Sequence, residues 1–120
     1  MNPRIVLVVD DDQSVRTSLS RMLTVRGYLA VPAATVEETL RQLEIVRPDV
    51  ILMDLQLSGS SGVVATRTIK SMSALCDIPV IALSATPSLD EESRALFAAI
   101  LRKPCPSAEI LAAIEHALRS

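Results

Sequence analysis

Short aliphatic runs alternate with amphipathic helix patterns five times along the 120-residue chain. The runs cover residues 5–9, 28–31, 49–53, 80–83 and 99–102. Continuous aliphatic runs are typical of strands buried on both faces, and strands that alternate with helices form parallel sheets with right-handed crossovers. The pattern predicts one α/β domain over residues 1–120. We expect a flavodoxin-like, doubly wound, five-stranded parallel sheet in the order 2-1-3-4-5, in a three-layer α/β/α structure.

Local signals also predict where several elements begin and end. Three helix patterns follow a residue whose side-chain oxygen can cap a helix, namely Ser14, Thr35 and Ser88. Another helix pattern covers residues 62–72 and places Met72 on its inner face. Pro32 is expected to end the second strand at residue 31, because proline has no N–H to donate.

Composition narrows the classes of function. Hydrophobic residues make up 49% of the chain and aromatic residues only 2%, which predicts an aliphatic core. The formal net charge of −2 gives no electrostatic reason to bind DNA or a membrane surface. No apolar stretch approaches the ~20 residues of a membrane span and no signal peptide is present, so we expect a cytoplasmic protein. Cys76 and Cys105 lack metal-ligand spacing and are expected to be free thiols.

Chemically useful side chains follow four of the five predicted strands. In chain order they are Asp10, Asp11, Asp12, Asp54, Ser84 and Lys103. In an open parallel sheet, ligands bind outside the carboxyl ends of the strands, at the point where the strand order reverses. The order 2-1-3-4-5 puts that point between the first and third strands, where Asp10 to Asp12 and Asp54 are expected to meet.

Carboxylates gathered this closely repel one another, and a hard divalent cation relieves the repulsion. Mg²⁺ suits such a site because it takes one or two protein carboxylates and keeps water positions that a phosphate can occupy. Plainer interpretations stay open for each residue alone. Residues 10–12 can be a solvated loop that caps the first helix, Asp54 a turn former and Lys103 a surface lysine. Their joint occurrence at neighbouring strand ends favours the metal site.

Other chemistries lack the residues that they need. A nucleophilic Ser84 requires a base, and the single histidine, His116, lies deep in the last helix pattern. No GxGxxG or P-loop sequence supports nucleotide binding. A flavodoxin-type cofactor carrier is disfavoured, because Tyr28 and Phe97 are the two aromatic residues available to sandwich a flavin.

Four motifs, in order, resemble the receiver domains of two-component response regulators. They are Val8-Val9-Asp10-Asp11-Asp12, Met53-Asp54 with Gly62 eight residues on, Leu83-Ser84-Ala85, and Lys103-Pro104. The resemblance implies that Asp54 accepts a phosphoryl group in a Mg²⁺-dependent reaction. The donor is a sensor histidine kinase, a phosphotransfer protein or a small phosphodonor. It implies Mg²⁺ binding by Asp10 through water and directly by Asp11, Asp54 and the backbone carbonyl of Gln56. Ser84 and Lys103 are implied to hold the phosphoryl oxygens.

The resemblance further implies a switch rather than an enzyme. The domain catalyses only its own phosphorylation and dephosphorylation, and then binds an unknown downstream protein differently. A chain ending at Ser120 leaves no room for a DNA-binding output domain, so we expect no nucleic-acid contact through this domain and no membrane contact. A stand-alone receiver and a piece of a larger protein both stay open. The alternative function is an interaction module that docks without phosphorylation.

The chain also departs from the family pattern. Ser58 stands where a proline is usual and Ser61 where an acidic residue is frequent. Ile100 stands at the position of an aromatic residue whose ring turns inward on activation. Because β-branched Ile100 is restricted at χ1 and has no polar tip, it cannot repeat that movement. We therefore expect phosphorylation to act mainly by ordering residues 85–96.

Overall fold

The computed structural model of the chain describes residues 2–85 and 88–119. Its main sheet contains five parallel strands in the order β2-β1-β3-β4-β5. The strands are β1 (Ile5–Val9), β2 (Leu29–Ala33), β3 (Val50–Asp54), β4 (Val80–Ser84) and β5 (Ala99–Arg102). The predicted flavodoxin-like sheet and its strand order are confirmed.

In the described part of the chain, five helices connect or follow these strands. They are α1 (Gln13–Val25), α2 (Val36–Ile45), α3 (Gly62–Lys70), α4 (Glu91–Arg94) and α5 (Ser107–Arg119). One aliphatic core joins the sheet to α2 and α3 through Leu43, Ala65 and Ile69. A second core joins the opposite face to α1 and α5 through Leu23 and Ile114. The molecule therefore has the predicted three layers, with the sheet in the middle.

The central strands are buried on both faces, which explains their unbroken aliphatic sequences. In β3, Ile51 and Met53 belong to the first core, whereas Val50 and Leu52 belong to the second. All five residues of β3 are buried, including Asp54 at its carboxyl end. The edge strands β2 and β5 are more exposed. Apolar burial on both sides thus fixes the position of Asp54.

Two predicted helix caps are wrong, and one is confirmed. Asp12, not Ser14, caps α1, because its carboxylate accepts from the N–H groups of Ser14 and Val15. Asp90, not Ser88, caps α4 by accepting from the N–H of Ser93. A carboxylate accepts more strongly than a hydroxyl at the positive end of a helix dipole. The Thr35 hydroxyl caps α2 as predicted.

Two further boundary predictions are corrected. Strand β2 continues through Pro32 to residue 33, which an edge strand tolerates because one side needs no partner. Helix α3 ends at Lys70, so Met72 lies beyond it and is exposed rather than inward-facing. Ile100 is only half-buried, although it packs against the first core. Residues 86 and 87 of the predicted segment 85–96 lie outside the described residues.

A small antiparallel hairpin follows β3 and was not predicted. Gln56–Leu57 pairs with Ser60–Ser61, and Ser58 and Gly59 form the turn. Gly59 has a φ of 70°, a conformation that glycine adopts without steric cost. Within residues 2–85 and 88–119, every helix is too short or too polar to span a bilayer.

Candidate functional site

The carboxyl ends of β1, β3, β4 and β5 bring the predicted site residues to one edge of the sheet. Asp10 directly follows β1, and Asp54 is the last residue of β3. Val9 is in register with Met53, and Asp54 is in register with Leu83 of β4. Parallel pairing therefore places Asp10 and Asp54 side by side, as the strand order required.

Lys103 follows β5 and is ion-paired with both buried aspartates. Its Nζ lies 3.1 Å from Asp10 Oδ2 and 3.4 Å from Asp54 Oδ2. Burial opposes a charged ammonium, but the hydrogen bond and charge of Asp10 and the charge of Asp54 raise the pKa of Lys103 overall. The lysine consequently stays charged and offsets part of the negative charge at this edge.

Asp54 is a buried carboxylate that is held at both oxygens. Only 5% of the residue is exposed. Its Oδ1 accepts from the backbone N–H of Gln56 at 3.1 Å, and its Oδ2 faces Lys103. Burial raises the pKa of Asp54, and the Asp10 charge adds to this, against the lowering effects of Gln56 and Lys103. A desolvated, oriented oxygen of this kind can act as a nucleophile toward an electrophile that enters from solvent.

Asp10 and Asp11 lie close to Asp54 and complete the cluster of carboxylates. Asp10 is 2% exposed, and its Oδ1 accepts from the N–H of Asp12 at 2.9 Å. Asp11 is exposed, and its Oδ2 accepts from both the N–H and the hydroxyl of Ser58. Hydrogen bonding by the Ser58 hydroxyl is the largest effect on the pKa of Asp11 and lowers it. Asp11 is therefore held as an anion at the mouth of the site.

The donor set fits the predicted Mg²⁺. Asp10, Asp11 and Asp54 each offer a carboxylate oxygen, and these three oxygens lie within 4.8 Å of one another. Oxygen-only ligands around an excess of negative charge are what a hard divalent cation requires. Asp12 is not part of this group, because it caps α1. Gln56 lies beside Asp54 through its N–H, and ligation by its carbonyl stays a prediction.

Ser84 lies at the same edge, on the side away from β1. It is buried at the end of β4, one residue beyond Leu83, which is in register with Asp54. Its backbone carbonyl accepts from the N–H of Lys103 at 2.8 Å. The structure thus brings Ser84, Asp54 and Lys103 together as predicted, while their roles toward a phosphoryl group stay predictions.

Two residues have structural roles at the site that sequence reasoning did not assign. A Cβ at Gly62 would lie 2.3 Å from the Asp54 carbonyl oxygen, so α3 can begin this close to β3 only with glycine. From the sequence, Ser58 stands out only as a departure from the family pattern. Its contact with Asp11 joins residues 47 apart in the chain, and no local sequence signal indicates it.

A doubly wound sheet, an acidic cluster at its switch point and a lysine paired with two of the aspartates are the features expected of a response regulator receiver domain. The chain matches the response regulator receiver domain model over residues 6–115 and belongs to that family. The transcriptional regulatory protein PrrA of Mycobacterium tuberculosis is 37% identical over 121 residues, which cover 98% of this chain and 51% of PrrA. The chain therefore spans about half the length of the curated relatives that it matches.

Solved structures agree with this assignment. The chemotaxis response regulator CheY4 of Vibrio cholerae has a TM-score of 0.88 and 26% identity, with 97% of this chain and 99% of CheY4 covered. The response regulator TrrA of Thermotoga maritima, solved in complex with Mg²⁺-BeF, has a TM-score of 0.86 and 24% identity over 96% of this chain and 99% of TrrA. The likeness to TrrA shows the shared fold.

Proposed function

We propose that this domain is a phosphorylatable switch in which Asp54 accepts a phosphoryl group. The observation that carries the proposal is the position of the Asp54 carboxylate, which is buried, 3.4 Å from Lys103 and within an oxygen cluster that fits a divalent cation. The donors are the phosphohistidine of a sensor histidine kinase or phosphotransfer protein, and small acyl phosphates.

The transfer needs one nucleophile and neutralisation of charge. An Asp54 oxygen bonds to phosphorus while the P–N bond of the phosphohistidine breaks and its electron pair returns to the imidazole. Lys103 and Ser84 bind oxygens of the phosphoryl group, since both lie beside Asp54. Asp11, Asp54 and the Gln56 carbonyl would hold Mg²⁺ directly and Asp10 through water, and the ion would neutralise phosphoryl charge. Positioning and electrostatics account for the catalysis, as is general for phosphoryl transfer.

The proposed reaction is confined to the domain itself. Phosphorylation and hydrolysis of Asp54 change how a downstream protein binds, and no separate substrate is turned over. The added charge acts by ordering the segment 85–96. A local charge change affects a distant surface only through an element that has two stable arrangements. Cys76 and Cys105 are both free thiols, which fits a reducing compartment, so we place the protein in the cytoplasm.

Incubation with acetyl phosphate and Mg²⁺ tests the proposal. Intact-mass measurement should show a gain of one phosphoryl group that is absent in Asp54→Asn and in the presence of EDTA. Asp77→Asn is the matched control, because Asp77 is an exposed carboxylate that precedes β4, at the opposite end of the sheet. A gain that persists in Asp54→Asn contradicts the assignment, and no gain with any donor favours the module that docks without phosphorylation.

A second variant tests the phosphoryl clamp. Lys103→Ala should still accept phosphate, but its amide-exchange response around residues 88–96 should be smaller than that of the parent, because a charge-assisted contact is lost. An unchanged response in Lys103→Ala would remove the lysine from the signalling step.

A further inference from the structure

Ser58 makes an unusual pair of contacts with the exposed aspartate of the cluster. Its backbone N–H donates to Asp11 Oδ2 at 3.0 Å, and its hydroxyl donates to the same oxygen. Asp10 and Asp54, by contrast, are buried and paired with Lys103. Asp11 is thus held by a loop residue rather than by the packed core.

The hairpin after β3 determines where Ser58 lies. Leu57 pairs with Ser60, so Ser58 and Gly59 are the two residues of a tight turn. Gly59 has a φ of 70°, and Ser58 does not have a positive φ. A type II turn requires this pattern and readily accepts proline at the first of the two positions. Proline at residue 58 is compatible with that turn type, but it would provide neither of the two donors.

The contact with Ser58 matters because the carboxylates of the cluster repel one another. Three carboxylates share the site with one ammonium, so the buried pair of aspartates repels Asp11 toward solvent. A free exposed side chain would also sample several rotamers. The two donors of Ser58 oppose both effects, since they hold Asp11 Oδ2 in place and use none of the hydrogen-bonding capacity of Oδ1.

We infer that Ser58 is a positioning residue for Mg²⁺, holding Asp11 oriented toward the carboxylate cluster before the ion binds. The inference rests on the proposed metal site and adds a residue outside the ligand set. Groups that hydrogen-bond to metal ligands typically contribute about 10–100-fold to metal affinity. Ser58→Ala removes one donor of two on an exposed ligand, so we expect a loss at or below the low end of that range, about 3–10-fold.

Mg²⁺ titration of the unphosphorylated protein, followed by the ¹⁵N amide resonances of Asp11 and Gly59, measures this affinity. Ser58→Ala should weaken binding as stated, and Ser58→Pro, which loses both donors, should weaken it further. Ser58→Thr keeps the hydroxyl and should bind within about twofold of the parent. Ser60→Ala, an exposed serine on the other strand of the hairpin, is the matched control and should leave the affinity unchanged.

Equal or tighter Mg²⁺ binding in Ser58→Ala overturns the inference, as does a parent protein that binds no Mg²⁺. Failure of Ser58→Thr to restore the affinity also overturns it, because the hydroxyl would then not be the active group. The titration contains no phosphodonor. Loss of the phosphorylation result with acetyl phosphate therefore refutes the proposed function separately, while the ranking of Mg²⁺ affinities still decides the role of Ser58.

Discussion

Thr66 in α3 carries a buried hydroxyl whose Oγ1 has no hydrogen-bond partner among the described residues. The residue is 0% exposed. Thr39 in α2 serves as the comparison. It is also 0% exposed, but its Oγ1 donates to the Thr35 carbonyl at 2.8 Å. The two threonines differ in hydrogen bonding, although both are fully buried in helices.

Thr→Val replacement at each position isolates the hydroxyl, because valine has nearly the same shape and a similar helix propensity. A buried polar group without a partner costs about 1–3 kcal/mol, so Thr66→Val should raise the free energy of unfolding by about that amount. At roughly 4 °C per kcal/mol for a domain of this size, the midpoint of thermal unfolding should rise by ~4–12 °C. Thr39→Val should instead lower the free energy of unfolding by about 0.5–1.5 kcal/mol, which is the net contribution of one hydrogen bond.

Urea unfolding followed by circular dichroism, with EDTA present, measures both variants and the double variant. The two sites lie in different helices, so their effects should add within ~0.5 kcal/mol. Equal effects of the two substitutions, or a destabilised Thr66→Val, would refute the reasoning, because burial alone would then determine the outcome.

The remaining predictions concern the site and its surroundings. Burial raises the pKa of Asp54 above 3.8, so its stabilising contribution is present below pH 3.8 and is lost as pH rises through the folded-state pKa. The stability of Asp54→Asn relative to the parent, measured in EDTA, should therefore increase from pH 4 to 7, and a constant difference contradicts this. Burial and Glu109 raise the pKa of Cys105 to about 11. The thiolate fraction of Cys105 at pH 8 is therefore about 100-fold lower than that of a free thiol, but a thiolate of higher pKa is more nucleophilic. We expect iodoacetamide to modify Cys105 in Cys76→Ser about tenfold more slowly than it modifies N-acetylcysteine. A rate profile that levels off near pH 9 would refute this. Half-buried Ile100 should cost roughly 1–2 kcal/mol on replacement by alanine, below the ~2–5 kcal/mol of a fully buried site, while phosphate acceptance stays intact. Chemical denaturation and intact mass test the two parts.

Local sequence patterns predicted the sheet well because the strands are short and strongly aliphatic. They predicted helix ends less well, because several side chains near each end compete to cap it. Asp12 and Asp90 were each close to a plausible serine, and only the backbone geometry selects the acceptor. The hairpin was missed since two-residue strands have no periodicity to detect.

The sequence by itself determined which polar residues end or follow four of the strands, and topological rules then place Asp10, Asp54, Ser84 and Lys103 at one edge. Only the tertiary structure decided how they pair. Lys103 contacts Asp10 across 93 residues of chain, and Ser58 contacts Asp11 across 47. Such contacts depend on the register of the strands and the path of a turn. These are consequences of packing the whole domain, because no local periodicity or propensity specifies a distance between residues so far apart in sequence.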